Sequence, residues 1–184
     1  MKYFSKGKRG KIYLIKDIAV KKSLNKHIKN EVKYLKLLNK HNIGPKLLSY
    51  GKNYFKYKFI KGIFILDHIK LSNKNNIKKV LVNVLKQCRV LDKLKINKLE
   101  MHNPYKHIII YKNPVMIDFE RCYETNKPKN VTQFCQFITS NNLKNLLKEK
   151  GFKINRKKLI KSLINYKHNQ DETNFREILR LIQL

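Results

Sequence analysis

A few residues of this basic chain invite a chemical reading before any element is assigned. Gly7 and Gly10 sit in the polar turn Ser5-Lys6-Gly7-Lys8-Arg9-Gly10. Glycines let a backbone come close to phosphate oxygens, and Lys8, Arg9 and Lys11 add positive charge beside them. Lys21 ends the apolar run Ile18-Ala19-Val20. A strand lysine aimed inward can hold phosphate groups, and Glu31, ten residues later, can fix it by an ion pair. Asp118 lies between Ile117 and Phe119 at the end of a second apolar run, where a carboxylate can bind a Mg²⁺ ion that bridges phosphates. Each residue also has a plainer reading. Most Gly-x-x-Gly turns bind nothing, Lys21 is one lysine among many, Glu31 could pair with Lys29 or Lys33 on a solvated helix, and Asp118 could simply end a strand. Order and spacing raise the chemical reading above the plain one.

The elements that would position these residues follow from periodicity. Residues 11–15 and 17–21 read as short strands, and the glycine turn joins the first of them to a strand before it. Ser23 is a candidate cap for a helix over about 24–40, whose stripe is Leu24, Ile28, Val32, Leu35 and Leu38. Gly44-Pro45 stops it. Phe55, Tyr57 and Phe59 alternate with lysines as a half-buried strand does. A long amphipathic helix starts in the polar stretch 72–76 and runs to Leu94. Ile108–Ile110 and Val115–Ile117 form a hairpin about Lys112-Asn113-Pro114. Helices follow from Asn130 and over about 142–150, 156–167 and 172–183, with Gly151 as a stop. This order predicts an α+β fold with a natural boundary near Gly62.

Composition narrows the classes further. The 184 residues carry 43 Lys+Arg against 12 Asp+Glu, a net charge of +31, yet 42% are hydrophobic. That apolar share excludes a disordered basic tail, and the length suffices for a core. No run approaches the ~20 apolar residues of a membrane span, and the start MKYFSKGKRGKIY lacks the apolar stretch of a signal peptide. The expectation is a cytoplasmic protein with no membrane partner. Three cysteines without CxxC spacing argue against a disulfide framework or a zinc knuckle. The excess of lysine points to a polyanionic partner, RNA or a ribosomal particle. Acids are so scarce that Glu31 and Asp118, each in an apolar setting, stand out.

Gly7-Lys8-Arg9-Gly10-Lys11-Ile12-Tyr13, Ile18-Ala19-Val20-Lys21, Asn30-Glu31, Ile43-Gly44-Pro45-Lys46-Leu47 and Ile117-Asp118-Phe119-Glu120 occur in the order of parts of protein-kinase-like phosphotransferases. Over about residues 5–140 the sequence resembles compact, atypical serine/threonine kinases, the RIO kinases and the kinase subunit of the KEOPS complex being the nearest types. Residues 104–110 and 130–134 are similar to a group of small archaeal predicted serine/threonine protein kinases. The resemblance implies a two-lobed fold, with a β-rich lobe over 1–62 and a mostly helical lobe over 63–184. It implies ATP and Mg²⁺ as ligands. Gly7, Lys8, Arg9 and Gly10 would cover the phosphates, Lys21 would hold them, Glu31 would orient Lys21, and Asp118 would hold Mg²⁺. Phe59 and Ile60, with Lys61-Gly62, would meet adenine through their backbone.

The catalytic loop departs from the kinase pattern. Sliding His-Arg-Asp-Leu-x-x-x-Asn back from Ile108 puts His107 at the metal-binding asparagine, His102 at the catalytic aspartate and Glu100 at the first histidine. Glu100 or His102 could act as the base, and His107 could hold a metal or a phosphate. Alternatively the site binds nucleotide without transfer, as a pseudokinase does, and the chain serves as an adaptor for RNA or ribosomal particles. Glu120 replaces the glycine of Asp-Phe-Gly, and no activation loop or Ala-Pro-Glu anchor follows. The phosphoacceptor is left unspecified by these residues.

Overall fold

A computed structural model describes residues 1–7 and 9–183. The chain begins with a five-stranded antiparallel sheet of β1 (Lys2–Lys6), β2 (Gly10–Ile15), β3 (Ile18–Ser23), β4 (Leu47–Gly51) and β5 (Tyr54–Lys58), in the order β1-β2-β3-β5-β4. β3 lies at the centre, pairing Lys21 with Ile12 on one side and Phe55 on the other. Helix α1 (Asn25–Asn39) connects β3 to β4 and buries Ile28, Val32, Leu35 and Leu38 of the predicted stripe, while Leu24, expected to open it, precedes the helix and is exposed. Ser23 does not cap it. The N-cap residue is Leu24, without a side-chain cap, and Ser23 is the last residue of β3, where its hydroxyl donates to the Arg9 carbonyl. β4 was invisible to periodicity because a register shift between Leu47 and Ser49 breaks its alternation.

From Ile63 onward helices predominate. Short β6 (Ile63–Phe64) and α2 (Ile65–Leu71) lead into α3 (Lys74–Lys93). Asn73 caps α3 by accepting from Asn76 N, and Ile77, Leu81, Val84, Leu85, Cys88 and Leu91 form its buried face. β8 (Ile108–Ile110) and β9 (Pro114–Met116) make the expected hairpin, with β6 added alongside β8. β7 (Ile96–Lys98) pairs with β10 (Cys122–Glu124), and a single 3₁₀ turn, Leu99–His102, follows β7. Helices α4 (Asn130–Ile138), α5 (Asn141–Glu149), α6 (Arg156–His168) and α7 (Glu172–Gln183) complete the chain. Gly151, at φ +83°, ends the turn after α5. The fold is α+β. Cys88, Cys122 and Cys135 are buried free thiols, and among the described residues no helix is long and apolar enough to cross a membrane.

One buried polar network ties the helices to β7. Asp92, at the end of α3, accepts hydrogen bonds from Asn130 N (3.0 Å), Asn130 Nδ2 (2.7 Å), Val131 N (3.3 Å) and Tyr166 Oη (3.0 Å). The other oxygen of this amide junction, Asn130 Oδ1, accepts from Lys98 N at 2.8 Å, and Nδ2 also donates to Ile96 O at 2.7 Å. Asn130 therefore sets the backbone of β7 and the turn behind it. Asn130→Ala would leave buried acceptors and a backbone N–H unpaired, at a cost of roughly 2–3 kcal/mol. For a chain of this size, melting is expected about 5–10 °C lower, measurable by differential scanning calorimetry.

Candidate active site

Three elements converge on the ammonium of Lys21. The lysine projects from β3 and is buried. Its Nζ lies 2.8 Å from Glu31 Oε2 of α1, donates a hydrogen bond to Asp118 Oδ1, and stands 3.5 Å from Glu120 Oε2. Asp118 follows β9 with φ +63°, a left-handed backbone that turns its carboxylate back toward β3. Helix α1 holds this segment through more than Glu31. Asn30 Nδ2 donates to the carbonyls of Glu120 (2.8 Å) and Cys122 (3.1 Å), and Lys33 Nζ pairs with Glu124 Oε1 at 2.7 Å. Phe119 is buried against Leu35 and Gly44. Gly44 has φ +83°, and a Cβ there would come within 2.8 Å of the Phe119 ring.

Charge is distributed unequally over the cluster. Burial raises Glu31 to about 7, more than the attraction of Lys21 lowers it. One ammonium is divided among three carboxylates, and Glu31, the most deeply buried of them, is left undercompensated. Burial works against the Lys21 ammonium, but Glu31 and Asp118 outweigh it and hold the lysine well above its ordinary value. Burial likewise pushes Asp118 up, yet Lys21, Lys98 and His107 together hold it below the ordinary carboxylate range. Carboxylate oxygens of Glu31, Asp118 and Glu120 lie within 4.8 Å of one another, and Glu120 Oε2 accepts no hydrogen bond. This oxygen-rich donor set suits a hard divalent cation such as Mg²⁺. Inward of Lys21 is a cavity of about 50 Å³ walled by Ile12, Phe55 and Tyr57 among others, too small for a nucleotide.

The loop after β7 arranges the remaining candidates. His107 Nδ1 lies 3.8 Å from Asp118 Oδ2 and has no hydrogen-bond partner. Burial, then the charge of Lys98, lowers its pKa, against the attraction of Glu100 and Asp118. His102 is exposed on the 3₁₀ turn, with Nδ1 2.7 Å from Leu99 O. A carbonyl only accepts, so Nδ1 carries a proton, and in the neutral ring Nε2 is the acceptor. Glu100 is buried, with Oε2 3.0 Å from Lys98 Nζ and Oε1 3.8 Å from Arg121. Its carboxylate is committed to neighbouring cations and does not join the cluster of Lys21.

The turn before β2 approaches the same segment from above. Gly7 N donates to Gly10 O at 2.9 Å, and Arg9 Nη1 reaches Glu120 Oε1 at 3.4 Å. A Cβ at Gly10 would stand 2.6 Å from the Lys22 carbonyl oxygen, so this position requires glycine. Lys8 lies outside the described residues. Phe59 and Ile60 connect β5 to β6. The Phe59 N–H donates to Asp17 O at 2.8 Å and its ring meets Phe4 edge-on at 5.2 Å, so that amide is already engaged.

Lys98 is the residue that sequence reading missed. It is fully buried and donates to Glu100 and to the backbone carbonyl of Asp118, with its ammonium 5.1 Å from the centre of the Phe119 ring. A lysine inside Ile96-Asn97-Lys98-Leu99 was a signal, but it was hidden by the abundance of lysine.

No family model and no curated protein matches this chain. Among solved structures its fold is similar to that of WbdD in complex with the kinase inhibitor LY294002, at a TM-score of 0.59 and 15% identity. The match covers 97% of this chain and 43% of that one, so the chain spans less than half the length of its structural neighbour.

The raised pKa of Glu31 makes stability depend on pH. The folded chain binds a proton there more tightly than the unfolded chain does, between the ordinary 4.5 and about 7. That contribution is complete below the lower value and is lost as pH rises through the upper one. The melting temperature is expected to fall between about pH 5 and pH 8, and Glu31→Gln is expected to flatten the slope. Asp118, shifted downward, acts only below its ordinary 3.8 and does not enter this window.

Proposed function

We propose that the chain is a compact, atypical serine/threonine-kinase-like phosphotransferase or ATPase that uses ATP and Mg²⁺. The observation that carries this reading is Lys21, held at once by Glu31 of α1 and by Asp118 after β9. On this reading residues 1–62 and 63–184 are its two lobes, and nucleotide lies between them. The similarity of the fold to that of WbdD, which was crystallised with a kinase inhibitor, supports a kinase-like reading.

Lys21 turns from Asp118 to the phosphates when nucleotide enters, while Glu31 keeps its Nζ aimed into the cleft. Asp118, with Glu120 and His107 beside it, would hold Mg²⁺, which supplies charge neutralisation for the transferred phosphoryl group. Arg9 and the Gly7–Gly10 turn cover the phosphates from the sheet side. His102 accepts the proton of the attacking hydroxyl or water at Nε2, the nitrogen left free by the bond from Nδ1 to Leu99 O. Lys98 and Glu100 hold the backbone of Asp118 and the 3₁₀ turn in register with each other.

Mg²⁺-ATP is expected to raise the melting temperature of the wild-type chain. Lys21→Ala and Asp118→Ala are expected to abolish both this rise and the transfer of labelled γ-phosphate. His102→Ala should retain the rise and lose roughly 10²–10⁴-fold in transfer. Transfer that survives Asp118→Ala would overturn the assignment, and a rise without turnover in the wild type would select a nucleotide-binding pseudokinase.

A further inference from the structure

Three concavities on the helical part join end to end, away from the cluster of Lys21. The first, about 240 Å³, lies between the end of α4, α5 and the loop before α6. It shares Thr139 and Arg156 with the second, about 600 Å³, which runs between α4 and α6. The second shares Lys129 and Lys167 with the third, about 660 Å³, beside Pro128 and the end of α6. The shared walls make one groove.

The lining of this groove has one sign of charge. Lys144, Lys148 and Lys153 flank one end, Arg156, Lys129 and Lys167 stand at the junctions, and Lys95 and Lys127 flank the other end. Among the described residues no aspartate or glutamate lines any of the three concavities, and Glu124, Glu172 and Glu177 pair with Lys33, Arg176 and Arg180 elsewhere. A groove walled by one sign of charge focuses the field and concentrates a polyanion.

The polar groups between the cations choose the polyanion. Thr132 and Thr139 donate their hydroxyl protons back to Lys129 O and Cys135 O, so toward the groove their oxygens can only accept. Such acceptors call for a donor on the ligand. A DNA backbone has none, whereas each ribose of RNA carries a 2′-hydroxyl. Among the described residues the second concavity, where both threonines lie, contains no aromatic ring on which an unpaired base could stack, and Phe152 and His168 stand at the two far ends. We propose that this groove binds base-paired RNA through its phosphates and 2′-hydroxyls. The proposal stands independently of the phosphotransferase reading.

The test is fluorescence anisotropy with a 20-base-pair RNA duplex, the DNA duplex of the same sequence and the single RNA strand, over a range of salt. The wild type should prefer the RNA duplex to both others. Its affinity should fall linearly with salt on logarithmic axes. Lys129→Glu/Lys167→Glu should weaken RNA binding at least tenfold and make the salt slope shallower by about 1–2, one phosphate contact being worth about 0.9. Lys46→Glu/Lys52→Glu, an equal charge change on the sheet part, should cost less than threefold. Circular dichroism confirms that both variants are folded, and Thr132→Val/Thr139→Val should narrow the preference for RNA over DNA. Asp118→Ala should bind RNA as the wild type does, which separates this result from any failure of the nucleotide site. Equal losses in the two double variants, or equal binding of RNA and DNA, would overturn the proposal. Displacement by poly-glutamate at the same charge concentration would reassign the groove to an acidic protein.

Discussion

A single ammonium divided among three carboxylates is the interaction on which this structure turns. Lys21 comes from the sheet, Glu31 from the helix beside it, and Asp118 and Glu120 from the segment that enters from the helical part. No pair in this set is balanced alone. Glu31 pays for burial with a raised pKa because its counter-ion is also claimed by Asp118. A partner that brings its own cation and its own anions relieves both sides. On the proposed reading the cation would satisfy the acids and the anions would take over the lysine, as a metal-bound polyphosphate would do in one step.

Beneath this cluster lies a second, quieter arrangement. Lys98 is enclosed completely and joins Glu100 to the backbone of Asp118, while Asn130 and Asp92 fix the backbone of Lys98 from behind. Buried charges are tolerated only when paired, and this pairing spans β7, the turn after it and the segment of Asp118. A chain with so few acids places Glu31, Asp92, Glu100, Asp118 and Glu120 along this one path. The basic excess is thereby left to the exposed surface of the sheet and helices alike.

The sequence was legible where periodicity or scarcity spoke. The stripes of α1 and α3 and the hairpin of β8 and β9 followed from spacing, and Glu31 and Asp118 were conspicuous because acids are rare. β4 was lost to a bulge, and β7 and β10 are three-residue strands too short to show a period. Ser23 had the side chain of a cap, but the strand retained it. Glu100 was a reasonable base by position alone. Its partner Lys98 could not be singled out among so many lysines, since burial is a property of the fold and not of the residue type. The groove between α4 and α6 was equally hidden, because charge along the chain does not say which face it shares.

The seat of Phe119 has a consequence for the kinds of molecule this cleft could accept. The ring fills the space left by the missing Cβ of Gly44, and the backbone just beyond it is fastened to Asn30 by two hydrogen bonds. A glutamate stands where a glycine would have permitted the chain to swing. An inhibitor that must lever this phenylalanine out to make room for itself would have to break those bonds and displace α1 together with them. If the proposed nucleotide site exists, a compound that leaves this ring in its seat would avoid that cost.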